Sequence, residues 1–191
     1  YDVFAGVGPF SIPAAKRRCA VLANDLNPES YKWLEHNAKL NKVEAFISAF
    51  NKDGSDFIKE EVKNHILQHK GEKRSHVVMN LPAIAVTFLP AFKHLFTTDQ
   101  VKQIKTLPLI HVYCFVKGEG DCKEMAATLV EDQLNCSISE AVDEVFFVRN
   151  VAPNKNMMRV SFQLTESMVQ GAKRPLELET DVKENKAKKI K

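Results

Sequence analysis

The stretch YDVFAGVGPFSIPAAKRRCAVLAND, residues 1–25, decides the fold. Residues 1–5 read as the end of a buried strand, residues 6–8 as a tight turn, and residues 11–19 as a helix; a second strand over residues 20–24 ends at Asp25. This is a βαβ unit. Asn27 then caps a helix with Pro28 at its first position, and Tyr31, Leu34, Ala38 and Leu40 supply an apolar face that stops at Asn41.

The alternation continues outward. Strands are expected over residues 45–50, 76–79 and 109–115, and helices over 57–69, 84–95 and 123–134. Two last strands, 142–149 and 157–164, flank APNKN, whose Pro and Asn suit a hairpin turn. The expected fold is α/β and Rossmann-like, a mostly parallel sheet with helices on both faces and a C-terminal antiparallel hairpin.

A chain of 191 residues with 45% hydrophobic and 27% charged residues can bury a core and is not disordered throughout. The formal charge of +3 resides in the last 21 residues, which hold seven basic and four acidic side chains; the first 170 balance 20 against 20. Residues 1–168 are therefore expected to be one domain whose first strand is cut short, and 169–191 a disordered basic tail. A neutral folded part grips nucleic acid only through local patches. The chain opens on Tyr1, inside a strand and without a leader, so it is expected to be a piece of a longer protein. It contains no run of 18 apolar residues, and no membrane partner is expected. Cys19, Cys114, Cys122 and Cys136 form no CxxC pair and read as reduced thiols of an intracellular protein; no metal site is expected.

Four strand ends carry candidate ligand groups. Gly6 and Gly8 form a GxG turn before a helix start, where backbone approaches a ligand closely; the third glycine of the dinucleotide fingerprint is replaced by Ser11. That departure favours a smaller anion than pyrophosphate, such as the carboxylate of S-adenosylmethionine, although a purely structural turn also uses GxG. Asp25 stands where such folds place an acid for two ribose hydroxyls, or else is a capping carboxylate. Asp53-Gly54 follows the third strand; it suits an adenine amino group, or is an ordinary Asp-Gly turn. At the fourth strand end, Pro82 fixes the backbone of Asn80-Leu81-Pro82 so that the Asn80 amide points into the cleft, unless the segment is only a helix-initiating turn.

Taken in order and spacing, FAGVGPF (4–10), DLNPES (25–30), Asp53-Gly54, VVMNLPA (77–83) and RNVAPN (149–154) resemble the archaeal and eukaryotic tRNA (guanine-37, N1) methyltransferase family. The likeness spans nearly all of residues 1–165. It implies a class I S-adenosylmethionine-dependent methyltransferase fold and S-adenosylmethionine as cofactor. It also implies Gly6, Gly8, Asp25, Leu26, Asp53, Gly54 and Asn80 as cofactor-binding residues, and Asn80 and Pro82 as the catalytic ones. The partner would be the tRNA anticodon loop, with N1 of guanine 37 as methyl acceptor, and the enzyme monomeric. The family is found in the mitochondrial matrix, cytoplasm and nucleus, and has N-terminal regions, with a tRNA-docking domain and proposed catalytic arginine and glutamate, that have no counterpart motif here. Two alternatives are a wybutosine-pathway aminocarboxypropyl transferase acting on the same tRNA position, which lacks the Asn-Leu-Pro element, and a non-catalytic cofactor-binding fragment.

Weaker candidates read more simply. His65 and His69, spaced i, i+4, suit a solvated helix face; Trp33 suits boundary packing more than base stacking; Arg149 and Lys155 are candidate phosphate contacts or solvated loop charges.

Overall fold

The structure, a computed structural model, describes residues 1–171. Along the chain run α1 (Ser11–Lys16), β1 (Val21–Asn24), α2 (Pro28–Leu40), β2 (Ile47–Phe50), α3 (Gly54–Phe57), α4 (Lys63–His69), β3 (His76–Met79), α5 (Thr98–Lys102), β4 (Leu109–Lys117), α6 (Cys122–Leu134), β5 (Val142–Ala152), β6 (Lys155–Gln163) and α7 (Glu166–Gln170). Pairing is parallel for β1 with β2 and β3 with β4, and antiparallel for β4 with β6 and β6 with β5.

The two halves of the sheet are joined by the chain's first residues. Asp2 bridges in parallel to Ala23 of β1 and to Val78 of β3. Asp2 N donates to Leu22 O at 2.9 Å, Val3 N to Val78 O at 3.0 Å and Val78 N to Tyr1 O at 2.8 Å. The strand expected over residues 1–5 is therefore a three-residue segment, and the sheet order is β2, β1, residues 1–3, β3, β4, β6, β5. Past Val3 the chain turns away, though Ala5 N still reaches Asn24 O at 2.7 Å.

Side-chain alternation along β1 separates two cores. Val21 and Ala23 face Ile12 and Ala15 of α1 and Leu34 and Ala38 of α2. Leu22 faces the other way, into the larger core with Val3, Phe57, Ile58, Val77, Val112, Val130, Val160 and Phe162. Helices thus cover both faces, and each fully buried Phe contributes about 1.5–3 kcal/mol relative to exposure.

Several boundaries differ from expectation for identifiable reasons. The first helix stops at Lys16 because Arg18 adopts a left-handed φ of 62°, reversing the chain into β1. The helix expected over 57–69 starts at Gly54 under an Asp53 cap and widens into a π-turn, Ile58–Val62, before α4. The helix expected over 84–95 is a 3-10 segment, Ala85–Phe92; Pro90 within it lacks an amide to donate, and its ring crowds a regular α ladder. The hairpin strands run longer than expected, up to a two-residue loop, Pro153-Asn154, with Asn154 at φ 55°. Finally, the expected boundary after residue 168 falls inside α7, whose Met168 and Val169 are buried, so the folded part reaches Gly171; residues 172–191 of the expected tail lie outside the described residues.

Candidate functional site

Residues 1–3, β1, β2 and β3 are neighbours in the sheet and all parallel, so their carboxyl ends open on one side. Every expected site residue follows one of these four ends: Gly6 and Gly8, Asp25 and Leu26, Asp53 and Gly54, Asn80 and Pro82. In open α/β sheets this is the edge at which ligands bind.

The glycine turn and Asp25 are in direct contact. Gly6 N donates to Asp25 Oδ2 at 2.8 Å, and Asn27 N donates to Asp25 Oδ1 at 3.0 Å. Gly6 has φ +55° and open space where a Cβ would stand. Gly8 has φ +98°, and a Cβ there would sit 2.8 Å from Ile12 Cγ1 and 2.9 Å from Leu34 Cδ1. One glycine keeps the ligand side open, whereas the other lets α1 and α2 close underneath. Leu26 projects outward, 65% exposed.

Asp53 caps α3: its Oδ1 accepts from Ser55 N at 2.8 Å. Where an ordinary Asp-Gly turn was the alternative, one carboxylate oxygen is instead occupied as a helix cap. Gly54 is buried, and the space beside it is filled: a Cβ would meet Phe4 Cε1 at 2.9 Å and Phe88 Cδ1 at 3.1 Å. Those two rings pack edge-on, with centroids 5.0 Å apart.

Asn80 directly follows β3, with its Oδ1 buried and without a hydrogen-bond partner. A buried orphan acceptor costs about 1–3 kcal/mol, so it marks a position where a donor belongs. Behind it Leu81 O accepts from Ile84 N at 2.9 Å and Ala85 N at 2.7 Å, and Pro82 O accepts from Phe115 N at 3.2 Å. The segment is a pinned turn, which also matches the turn alternative.

Three buried or bridging polar groups escaped the sequence reading. Asp2 lies below the glycine turn, its Oδ2 accepting from Ser11 Oγ at 2.7 Å and its Oδ1 unpartnered; burial pushes its carboxyl up to about 6, against the opposing pull of the Ser11 hydroxyl. Asn24, only 1% exposed, donates from Nδ2 to Val3 O at 3.1 Å and Lys52 O at 3.0 Å while its Oδ1 accepts from Lys52 N at 2.9 Å. Asn51 Nδ2 donates back to Asp25 O at 2.7 Å and Leu26 O at 2.9 Å. The available signal was a lone polar residue ending an apolar strand, as in VLAN.

The remaining candidates sit elsewhere. His65 Nδ1 pairs with Tyr1 Oη at 2.9 Å and stacks on His69; among the described residues no cluster of three or more His, Cys, Asp or Glu is placed to hold a metal. Trp33 is half exposed and meets His36 edge-on at 5.3 Å. Lys155 Nζ lies 4.3 Å above the Phe115 ring, which uses that cation within the sheet, while Arg149 is exposed on β5. No helix among the described residues is long and apolar enough to cross a membrane.

Comparison with known proteins converges on one family. The TRM5/TYW2 methyltransferase domain model matches residues 1–135. A tRNA (guanine(37)-N(1))-methyltransferase of Drosophila melanogaster is 53% identical over 178 residues, covering 88% of this chain and 39% of that protein. Among solved structures, the complex of aTrm5 and tRNALeu superposes with a TM-score of 0.55 at 28% identity, over 86% of this chain and 40% of the other. Methanocaldococcus jannaschii Trm5 in complex with adenosine gives 0.53 at 28% identity, over 85% and 42%. The chain spans about two fifths of the length of these relatives.

Proposed function

The chain belongs to the TRM5/TYW2 methyltransferase family, and from that premise we propose that it is the catalytic part of an enzyme transferring a methyl group from S-adenosylmethionine to N1 of guanine 37 in tRNA. The observation that carries this reading is the 53% identity to a protein of that named activity. The four parallel strand ends, with candidate ligand groups after each, support it.

The residues at these ends fit the cofactor. Asn80 Oδ1 is a buried acceptor without a donor, Gly6 leaves open space, and Asp25 and Asp53 present carboxylates on neighbouring ends. The adenosine complex of M. jannaschii Trm5 supports a nucleoside in such a site. Gly6, Gly8, Asp25, Leu26, Asp53, Gly54 and Asn80 would hold S-adenosylmethionine, which when bound supplies an electrophilic methyl group on a sulfonium sulfur. Asp25 would accept from the ribose hydroxyls and Asp53 from the adenine amino group, while Asn80 and Pro82 keep the target base beside the cleft.

Guanine N1 carries a proton, so methylation there requires that proton to leave and the charge growing on O6 to be stabilised. What this chain contributes is proximity and orientation, which together lower barriers by as much as about 7–11 kcal/mol. The anticodon-loop base must be unstacked to reach the strand ends. Cysteines that form no CxxC pair suit an intracellular enzyme.

The rival within the family's fold is transfer of the aminocarboxypropyl arm; Asn80-Leu81-Pro82 favours methyl transfer. Incubating the chain with S-adenosylmethionine labelled on the methyl group, or separately on the carboxyl group, and with tRNA transcripts carrying G or A at position 37 separates the readings. Methyl label on the G37 transcript alone is expected. Equal methyl labelling of the A37 transcript would overturn the assignment, carboxyl label in the tRNA would establish the rival chemistry, and cofactor binding without any transfer would leave a binding module.

A further inference from the structure

We propose that Asn24, braced by Asn51, is a positioning residue that sets the separation of Asp25 and Asp53 for the nucleoside half of the cofactor; the inference rests on the functional reading above. The juxtaposition is a pair of side-chain amides that cross the gap between the ends of β1 and β2 in opposite directions.

Asn24 is the last residue of β1 and the only polar one in it. Backbone pairing between β1 and β2 ends at Asn24 and Phe50, so nothing in the sheet's own ladder holds the segment that carries Asp53. The Asn24 side chain continues the pairing in its place. It accepts from Lys52 N at 2.9 Å and donates to Lys52 O at 3.0 Å, gripping both polar groups of the residue directly before Asp53. Its second amide proton goes to Val3 O at 3.1 Å, on the strand that leads into the Gly6 turn. With both protons donated and the oxygen accepting, the amide has only one satisfactory orientation: the flipped form would set oxygen against two carbonyls.

Asn51 closes the bracket from the other side. Its Nδ2 donates to the carbonyls of Asp25 and Leu26 at 2.7 and 2.9 Å. Asp25 in turn receives Gly6 N at 2.8 Å. Val3, Gly6, Asp25, Leu26 and Lys52 are thus linked through three side chains, those of Asn24, Asn51 and Asp25, and neither Asn24 nor Asn51 needs to touch the ligand. A ligand that engages two carboxylates at once is bound without an added ordering cost only if their spacing is already fixed.

The test is calorimetric, on the whole chain, with adenosine and S-adenosylmethionine as separate probes. Asn24→Ala is expected to weaken both by the same factor, about tenfold. Asp53→Ala should then cost much less in the Asn24→Ala background than in the unaltered chain, because an Asp53 that is no longer held contributes little. Asn51→Ala, at an exposed position, keeps the question answerable if Asn24→Ala does not fold; it should weaken adenosine by about threefold while thermal unfolding stays unchanged. A lower melting temperature for Asn24→Ala with unchanged affinities, or fully multiplicative costs in the double variant, would reduce Asn24 to a structural staple and overturn the proposal. If Asn24→Ala does not fold, unaltered affinity in Asn51→Ala overturns it as well. No binding of either probe by the unaltered chain would instead remove the functional reading, and the proposal with it.

Discussion

The amide of Gly6 donates to the carboxylate of Asp25 at 2.8 Å, so the first turn of the chain and the end of β1 meet at a single charged group. Because Asn27 N takes the other oxygen at 3.0 Å, the carboxylate is oriented before any ligand arrives. Asp25→Ala should therefore lose about 1.5–3 kcal/mol of S-adenosylmethionine affinity, the scale of hydrogen bonds to a charged group. Titration calorimetry measures it, and unchanged binding would remove Asp25 from the site.

Gly6 and Gly8 should respond differently to alanine. At Gly6, with φ +55° and no atom near the added Cβ, the cost is the left-handed conformation alone, about 1–2 kcal/mol. Gly8→Ala adds contacts of 2.8 and 2.9 Å with Ile12 and Leu34, and should unfold at clearly lower urea concentration than Gly6→Ala. Equal midpoints would mean that the Ile12 and Leu34 side chains move aside freely.

Pro82→Ala should slow methyl transfer while leaving cofactor affinity near normal. The proline stiffens the turn after Asn80, and its carbonyl is tied to Phe115 N at 3.2 Å, so the substitution loosens the corner beside Asn80 without touching Asp25 or Asp53. Single-turnover rates set beside the dissociation constant decide it; parallel loss of both would indicate a folding defect.

Acid stability should show two opposed slopes. Burial, reinforced by His76 and Arg159, pushes His111 down to about 4 from an ordinary 6.5. The unfolded chain then binds more protons between those values, so this contribution is complete above pH 6.5 and is lost as pH falls toward 4. Asp2 is shifted the other way, from 3.8 up to about 6, so its contribution falls as pH rises through that window. Between pH 4 and 6 the two offset each other. Removing Asp2 as Asp2→Asn should steepen the loss of stability on acidification, whereas His111→Asn should make the chain more stable on going from pH 6 to 4. Urea midpoints across that range measure both, and a variant profile parallel to that of the unaltered chain would refute the corresponding shift.

The parallel, alternating architecture was legible because each of its signals is local: the Asn27-Pro28 cap of α2, the apolar run of β4 and the turn residues after β5 each announce themselves within a few positions. Local signals failed where backbone sterics overrode apolar periodicity. Pro90 turned an apolar stretch with helical spacing into a 3-10 segment, and the π-turn at Ile58–Val62 has no compositional mark. Gly6, Asp25, Asp53 and Asn80 stood out as candidates because glycine, acid and Asn-Leu-Pro at strand ends form a pattern. Asn24, Asn51 and Asp2 were not, because their partners lie 9 to 28 positions away and only the folded sheet brings them together.

The three-residue segment at the centre of the sheet also constrains the order of assembly. Tyr1 and Val3 pair with residues 75 positions later, so the middle of the sheet is closed by its most distant contacts, not by a neighbouring hairpin. The β1–β2 pair and the β3–β4–β6–β5 set can each form from their own residues, but they become one sheet only when residues 1–3 slot between them. Three of the four strand ends that frame the site belong to residues 1–3 and to their neighbours on either side. A correctly shaped cleft therefore depends on the sheet's longest-range contacts, the ones with the greatest loop-closure cost.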